Sequence, residues 1–124
     1  MSVDPDSIQL ETYQCVLVRH TREGREFSAE RTERIFREHL EYVLHLVATG
    51  QQRAAGPVRD SPAEEQDICG LGLFQQGSVD TVRRLMEADP GVRQGLYTFD
   101  VMIWQTPAGS VSFPGPQHRQ ASTA

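Results

Sequence analysis

The segment Leu85–Tyr97, LMEADPGVRQGLY, contains the last junction between a helix and a strand and thereby decides how the fold closes. An apolar–polar helical pattern runs to Ala88, the triplet Asp89-Pro90-Gly91 interrupts it, and β-forming residues follow. This pattern predicts a carboxylate in the last helical turn, where the helix dipole favours a cation. We therefore expect the Asp89 side chain to have a partner elsewhere in the fold.

Outward from this segment, β-forming runs and two amphipathic runs alternate along the chain in the order βαββαβ. The predicted elements are strand Tyr13–His20, helix Glu30–Thr49, strand Gln51–Val58, strand Ile68–Gln75, helix Val79–Ala88 and strand Leu96–Gln105. This order is typical of the ferredoxin-like α+β fold, a four-stranded antiparallel sheet with both helices on one face. Residues 1–12 are predicted to be a flexible leader, residues 13–105 the folded domain, and residues 106–124 a flexible C-terminal tail rich in Pro, Gly, Ser and Gln.

Composition excludes several classes of function. The 124 residues carry a net charge of -5, so the basic surface of a nucleic-acid-binding protein is not expected. The sequence has no apolar run of membrane-spanning length and no apolar N-terminal signal, which favours a cytoplasmic protein. All 12 basic residues are arginine, so chemistry through a lysine Schiff base or a P-loop is excluded. Cys15 and Cys69 lie in predicted strands without CxxC spacing and are expected to be buried free thiols.

Each predicted helix brings one titratable side chain to its apolar side. At 100° per residue, His39 lies within the apolar stripe of the first helix, whereas His45 lies on its solvated side. That stripe is formed by Ile35, Phe36, Leu40, Tyr42, Val43, Leu46 and Val47. On the second helix, Asp89 follows Val82 by seven residues and Met86 by three, so it continues the apolar stripe.

Two interpretations of His39 and Asp89 remain open. Separately, His39 is explained as a hydrogen-bonded core histidine, and Asp89 as a helix-end residue that binds backbone N–H groups around Pro90-Gly91. Together, they are better explained as a pair, because a buried carboxylate is rare without a partner. A buried histidine–carboxylate pair is suited to general acid–base catalysis.

Both faces of the predicted sheet carry apolar side chains, but the helices cover only one face. In the last strand, one face carries Tyr97, Phe99, Val101 and Ile103, and the other carries Thr98, Asp100, Met102 and Trp104. An uncovered apolar sheet face implies a partner surface. The simplest partner is a second copy of the chain, which predicts a two-fold homodimer through the open sheet face.

Three segments together resemble the YciI-like, or YCII-related, family of the dimeric α/β-barrel superfamily. They are FREHLEYVLHLVATGQQRAAGPV (Phe36–Val58), GLGLF (Gly70–Phe74) and LMEADPGVRQGLYTFDVMIWQ (Leu85–Gln105). The resemblance implies a ferredoxin-like fold that pairs as a dimeric α/β barrel, with an active site at His39 and Asp89. One branch of the family resembles dehydrochlorinases of chlorinated hydroquinones, and the fold is similar to that of muconolactone isomerase. Both are proton-transfer chemistries without a cofactor.

The leading hypothesis is a small enzyme, a lyase or isomerase, that acts on an oxygenated cyclic or aromatic metabolite without a cofactor or metal. His39 would be the general base or acid, and Asp89 would orient it or carry the proton itself. Arg53 would hold an anionic or enolate oxygen, unless it is a surface arginine. Three aromatic residues would line an apolar pocket, unless they pack in the core or the dimer: Tyr97, Phe99 and Trp104.

Three other classes of function remain open. A non-catalytic binding or accessory protein would use the same pocket to hold a small molecule. A cofactor-free monooxygenase would show dependence on molecular oxygen. A metal enzyme lacks an evident third ligand beside His39 and Asp89. The acidic loop Arg59–Asp67 and the C-terminal tail differ from the family pattern and bear on the substrate.

Overall fold

The predicted order of strands and helices is confirmed, with one short helix added before the last strand. The computed structural model describes residues 4–61 and 68–113. Its elements are β1 (Leu10–His20), α1 (Ala29–Ala48), β2 (Gln52–Pro57), β3 (Ile68–Phe74), α2 (Val79–Glu87), α3 (Pro90–Arg93) and β4 (Tyr97–Pro107), with 3-10 turns at Pro5–Ser7 and Gly24–Glu26. Within these residues, no helix is both long and apolar enough to cross a membrane.

The four strands form one antiparallel sheet in the order β2-β3-β1-β4. Val16 and Val18 of β1 point to the same face and pack in one buried cluster with Ile35 of α1 and Val82 of α2. Both long helices therefore cover the same face, which we call the helix face; the opposite side of the sheet is the open face. The α+β ferredoxin-like fold class is confirmed.

Serine caps determine where the two long helices begin. The Ser28 hydroxyl accepts a hydrogen bond from the Arg31 N–H at 3.0 Å, and the Ser78 hydroxyl accepts one from the Thr81 N–H at 3.1 Å. Each cap satisfies a backbone donor that the first helical turn leaves unpaired. The caps set the first residue of each helix, and burial of the apolar stripe turns that stripe toward the sheet.

The sheet extends farther than the sequence predicted at both ends of the domain. β1 begins at Leu10, which pairs with Pro107 at the end of β4. Backbone pairing between the two long central strands therefore recruits residues assigned to the leader and tail. Beyond β4 the chain turns back, and the Phe113 ring packs edge-on against Tyr13, with centroids 6.0 Å apart. Residues 62–67 of the predicted acidic loop and residues 114–124 of the predicted tail lie outside the described residues.

Two glycines on the helix face of β3 make room beneath α1, and at Gly72 the Gln52 side chain occupies part of that room, because a Cβ there would overlap Gln52 Nε2. Gly70 pairs with Val18 and Gly72 pairs with Val16, so both strand positions point toward the helices. Glycine within a strand has no side chain to fill such a layer and often marks a close approach or a ligand site. The result is a hollow between β3, β2 and α1.

Candidate active site

His39 and Asp89 are in direct contact at one end of this hollow. His39 Nδ1 lies 2.7 Å from Asp89 Oδ2, which is a short distance for a charge-assisted hydrogen bond. The Asp89 side chain is 1% exposed and the His39 side chain 15% exposed. The carboxylate is therefore sealed from solvent, while the imidazole keeps a route to the cavity.

The local backbone around Asp89 differs from the sequence prediction. α2 ends at Glu87, and Asp89 is extended (φ -64°, ψ 127°), so it is not in the last turn of α2. The reason is Pro90, whose ring disfavours helical geometry at the preceding residue. Asp89 instead caps the N-terminus of α3, where a carboxylate is favourable, so the expected conflict with the α2 dipole does not arise.

Asp89 uses both of its carboxylate oxygens. The Gly91 N–H donates to Oδ1 at 2.9 Å, while Oδ2 contacts the imidazole. The backbone interaction and the histidine pair, weighed above as alternatives, are both present. Position 91 also requires glycine, because a Cβ there would lie 2.6 Å from Tyr97 Cδ2 and 3.3 Å from His39 Cβ.

The contact with Asp89 determines which imidazole nitrogen is left for a substrate. A carboxylate only accepts hydrogen bonds, so His39 Nδ1 carries a proton and donates it to Oδ2. In the neutral imidazole, Nε2 then holds the free lone pair. Within residues 4–61 and 68–113, no hydrogen bond involves Nε2. The arrangement is that of an oriented base.

Tyr97 packs against the imidazole and adds a hydroxyl to the site. Its ring lies edge-on to His39, with centroids 4.8 Å apart, and edge-on to His20 at 5.3 Å. Burial raises the pKa of Tyr97 to about 12, with smaller contributions from Cys69 and Asp89. The phenol therefore stays protonated under ordinary conditions and can donate a hydrogen bond.

These groups line a cavity of about 630 Å³. Its polar side chains include His39, Asp89, Tyr97 and Arg53, and most of the remaining wall is apolar. Apolar side chains from α1, α2 and β1 form much of this wall: Val16, Leu40, Val43, Val47 and Met86. A mostly apolar cavity with a few polar groups is the usual form of a small-molecule site.

Arg53 lines the same cavity near the start of β2, beside the strand row of Gln14, whereas Tyr97, which packs on His39, lies in the row of His20. Its Nε is buried and has no hydrogen-bond partner among the described residues. The guanidinium carbon lies 4.8 Å from the centroid of the Phe113 ring. Arg53 as a substrate-binding residue stays a prediction, but an oxygen held there would not be one adjacent to the His39 imidazole.

Phe99 and Trp104, the other predicted pocket residues, do not line this cavity. Phe99 is partly buried against the core cluster. Trp104 points to the open face, is 42% exposed and lies 5.8 Å from the Tyr13 ring. Strand alternation separates Trp104 from Tyr97, because residues an odd number of positions apart face opposite sides of a strand.

The cavity wall also includes residues that the sequence did not predict for the site, among them Cys69, Gly70 and Gly72. The Gly-Leu-Gly pattern inside a predicted strand was the available signal for the two glycines.

Cys69 donates a weak hydrogen bond to the Val18 carbonyl at 3.5 Å, and burial raises the pKa of its thiol to about 11. Cys15 and Cys69 are free thiols, as predicted, although both are partly rather than fully buried. Across the described residues, no three His, Cys, Asp or Glu side chains are grouped as metal ligands would be.

The family and fold comparisons agree with this architecture. The model of the YCII-related domain matches residues 14–105. No curated protein sequence matches the chain significantly. One similar structure is 5-chloro-2-hydroxyhydroquinone dehydrochlorinase (TftG) from Burkholderia phenoliruptrix, in complex with 2,5-dihydroxybenzoquinone. It is 16% identical, with a TM-score of 0.51 over 78% of this chain and 95% of the other.

A hypothetical protein from Arabidopsis thaliana, known from a solution structure, is also similar. It is 16% identical, with a TM-score of 0.42 over 86% of this chain and 95% of the other. At these identities the structural likeness concerns the fold alone, whereas the family model spans nearly the whole described domain. The chain therefore belongs to the YCII-related domain family.

Proposed function

We propose that this protein is a small acid–base enzyme, a lyase or isomerase that transfers a proton on an oxygenated cyclic or aromatic metabolite without a cofactor. One observation carries the proposal: buried Asp89 holds His39 Nδ1 at 2.7 Å on the wall of a mostly apolar cavity. An imidazole fixed in this way has a defined tautomer and a defined direction of attack.

In the proposed mechanism, His39 Nε2 removes a proton from a ring carbon adjacent to a carbonyl. The electron pair of the broken C–H bond forms an enolate, and Asp89 stabilises the resulting imidazolium. The Tyr97 hydroxyl donates a hydrogen bond to the enolate oxygen, where negative charge develops. In an elimination, the enolate expels a leaving group such as chloride; in an isomerisation, His39 returns the proton to another carbon.

The wall of the cavity supports an apolar ring as the substrate body. Burial of its surface would supply binding free energy, about 25 cal/mol per Å² of apolar area. Removing water around the imidazole would also strengthen its interaction with the enolate charge. The dehydrochlorinase TftG, which has a similar fold and binds a dihydroxybenzoquinone, is consistent with this substrate class.

We further propose that the enzyme is a homodimer through the open face. Three large apolar side chains of the open face are at least 42% exposed: Leu71, Met102 and Trp104. A second hollow of about 610 Å³ lies among these residues. Exposed apolar surface of this kind favours a partner, and a second copy supplies a complementary sheet.

Incorporation of solvent deuterium tests the proposed chemistry without knowledge of the natural substrate. The protein is incubated in D2O with a panel of hydroxylated quinones and cyclic enolisable ketones, and exchange at carbon is followed by NMR. At least one member should exchange faster with wild-type protein than in buffer, and His39→Asn should remove this acceleration. His45→Asn, which changes the exposed histidine of the same helix, is the matched control and should retain it. Equal exchange with wild type and His39→Asn would contradict the proposal.

A further inference from the structure

The charged groups of the main cavity lie at its two opposite ends. His39 and Gly50 both line it and are separated by 11 residues of α1 and its C-terminal turn, which corresponds to about 16 Å along a helix. The strand register gives a similar distance between the two ends of the cavity. Tyr97 pairs with His20 at the His39 end, whereas Gln52, next to Arg53, lies in the row of Gln14. Six residues of β1 separate these two rows, about 20 Å.

The wall between the two ends is apolar. Among the described residues that line the cavity, the acidic and basic side chains are His39, Asp89 and Arg53. Between them, α1 contributes Leu40 and Val43, and β3 contributes backbone at its glycines. A ligand that occupied the whole cavity would therefore need an apolar body with a polar group at each end.

Arg53 has the features of an unsatisfied anion-binding group. No described carboxylate forms an ion pair with it, and its buried Nε lacks a hydrogen-bond partner. The ring of Phe113 beneath the guanidinium orients it by a cation–π contact without neutralising its charge. The planar guanidinium matches two oxygens of a carboxylate or phosphate.

The cavity is also larger than a single ring requires. An apolar cavity of about 150 Å³ holds one benzene molecule. At about 630 Å³, this cavity is roughly four times as large. A one-ring substrate at His39 would leave most of the apolar wall and the whole Arg53 end without contact.

We infer that the substrate has its reacting ring at His39 and an elongated apolar body that ends in a carboxylate or phosphate, about 16–20 Å away at Arg53. The reacting end of this assignment rests on the proposed function. The anionic end rests on the position and environment of Arg53. Arg53 thereby becomes a specificity-determining residue that binds the distal end of the substrate.

Calorimetric titration with simple amphiphiles tests the anionic end without turnover. The probes are dodecanoate, dodecyl phosphate and dodecan-1-ol, each below its aggregation concentration. At least one of the two acids should bind wild-type protein more tightly than the alcohol. Arg53→Gln should weaken binding of that acid by about 10- to 100-fold, the usual worth of hydrogen bonds to a charged group, and leave the alcohol unchanged. Arg53→Lys should retain part of the affinity, and Arg83→Gln, on the exposed side of α2, should retain all of it.

The length of the ligand is tested by NMR of the His39 imidazole, assigned by comparison with His39→Asn. Dodecanoate should shift the His39 signals, whereas butanoate, which is too short to span the cavity, should not. The inference would be overturned if wild type and Arg53→Gln bound both acids with equal affinity. It would also be overturned if neither acid bound the wild-type protein. Proton transfer plays no part in these readouts, so failure of the proposed chemistry would appear only in the deuterium-exchange experiment.

Discussion

The two faces of the sheet are formed by the same strands but differ in what covers them. The helix face is covered by α1 and α2 and contains the cavity with the His39–Asp89 pair. The open face carries Leu71 at 46% exposure and Trp104 at 42% exposure, and its titratable pair, Arg19 and Asp100, forms an exposed salt bridge at 2.8 Å. Charged partners are thus found on both sides, but only those on the helix face are removed from water.

The difference shows that the solvent exposure of a charged pair depends on what covers that face of the sheet and not only on strand alternation. An exposed ion pair contributes little, because water competes for both charges. A buried carboxylate, in contrast, needs a fixed partner and thereby orients it. The covering helix α1 brings the partner to Asp89. The open face lacks such a cover within the described chain, which is why we assign it to association.

The largest expected effect concerns the buried pair. Asp89→Asn should reduce kcat by about 100- to 10,000-fold, because the amide no longer fixes the base tautomer of His39. KM should change little, since the apolar wall that binds the substrate is intact. Steady-state kinetics on a substrate identified by deuterium exchange would measure both constants. Asp100→Asn on the open face is the matched control, and an equal loss in both variants would break the distinction between the faces.

The next effect concerns the open face. Leu71→Lys should raise the dimer dissociation constant by about 100-fold, because it would bury an unpaired charge between two sheets. Sedimentation velocity across a concentration series would measure this constant. Leu44→Lys, at a position of α1 that is 50% exposed, should leave it unchanged. A wild-type protein that sediments as a monomer at all concentrations would remove the assigned role of the open face.

A smaller effect is expected from crowding the part of the helix face that contains His39 and Asp89. Gly91→Ala should lower the free energy of unfolding by about 1–3 kcal/mol, because its Cβ would overlap the Tyr97 ring. Gly56→Ala, where an added Cβ meets nothing within 4 Å, should change it by less than about 0.5 kcal/mol. Urea unfolding measures both values. Equal stability of the two variants would argue against tight packing at the pair.

The smallest effect concerns the pH dependence of stability. The pKa of Tyr97 is about 12 in the folded protein and 10.0 in its ordinary state, so above pH 10 the unfolded chain loses this proton first. Tyr97 therefore contributes stability that is fully present below pH 10 and is lost as pH rises toward about 12. Tyr97→Phe should show a shallower fall in unfolding free energy over this range. Parallel curves for the two proteins would show that the Tyr97 hydroxyl is not buried.

The fold and the proximity of His39 to Asp89 could be predicted from the sequence, because each depends on the periodicity of apolar residues. Strand alternation and helical spacing fix the βαββαβ order and bring His39 and Asp89 to the same side. The backbone at Asp89 was not predicted, because Pro90 ends α2 earlier than the apolar pattern does. The position of Arg53 at the far end of the cavity depends on strand register, which a single sequence does not reveal. The contact of Phe113 with Tyr13 was not predicted, because residues 108–113 have no periodic pattern.

The most direct test of the central claim is the protonation state of the two imidazole nitrogens of His39, measured by nitrogen-15 NMR. In the neutral imidazole, we expect a proton on Nδ1, hydrogen-bonded to Asp89, and an unprotonated Nε2 directed to the cavity. Asp89→Asn should abolish this preference, and exposed His45 should not show the same hydrogen-bonded Nδ1 signal. A neutral His39 with its proton on Nε2 in the wild-type protein would contradict the proposed role of His39, since Nε2 could not then accept a proton from the substrate.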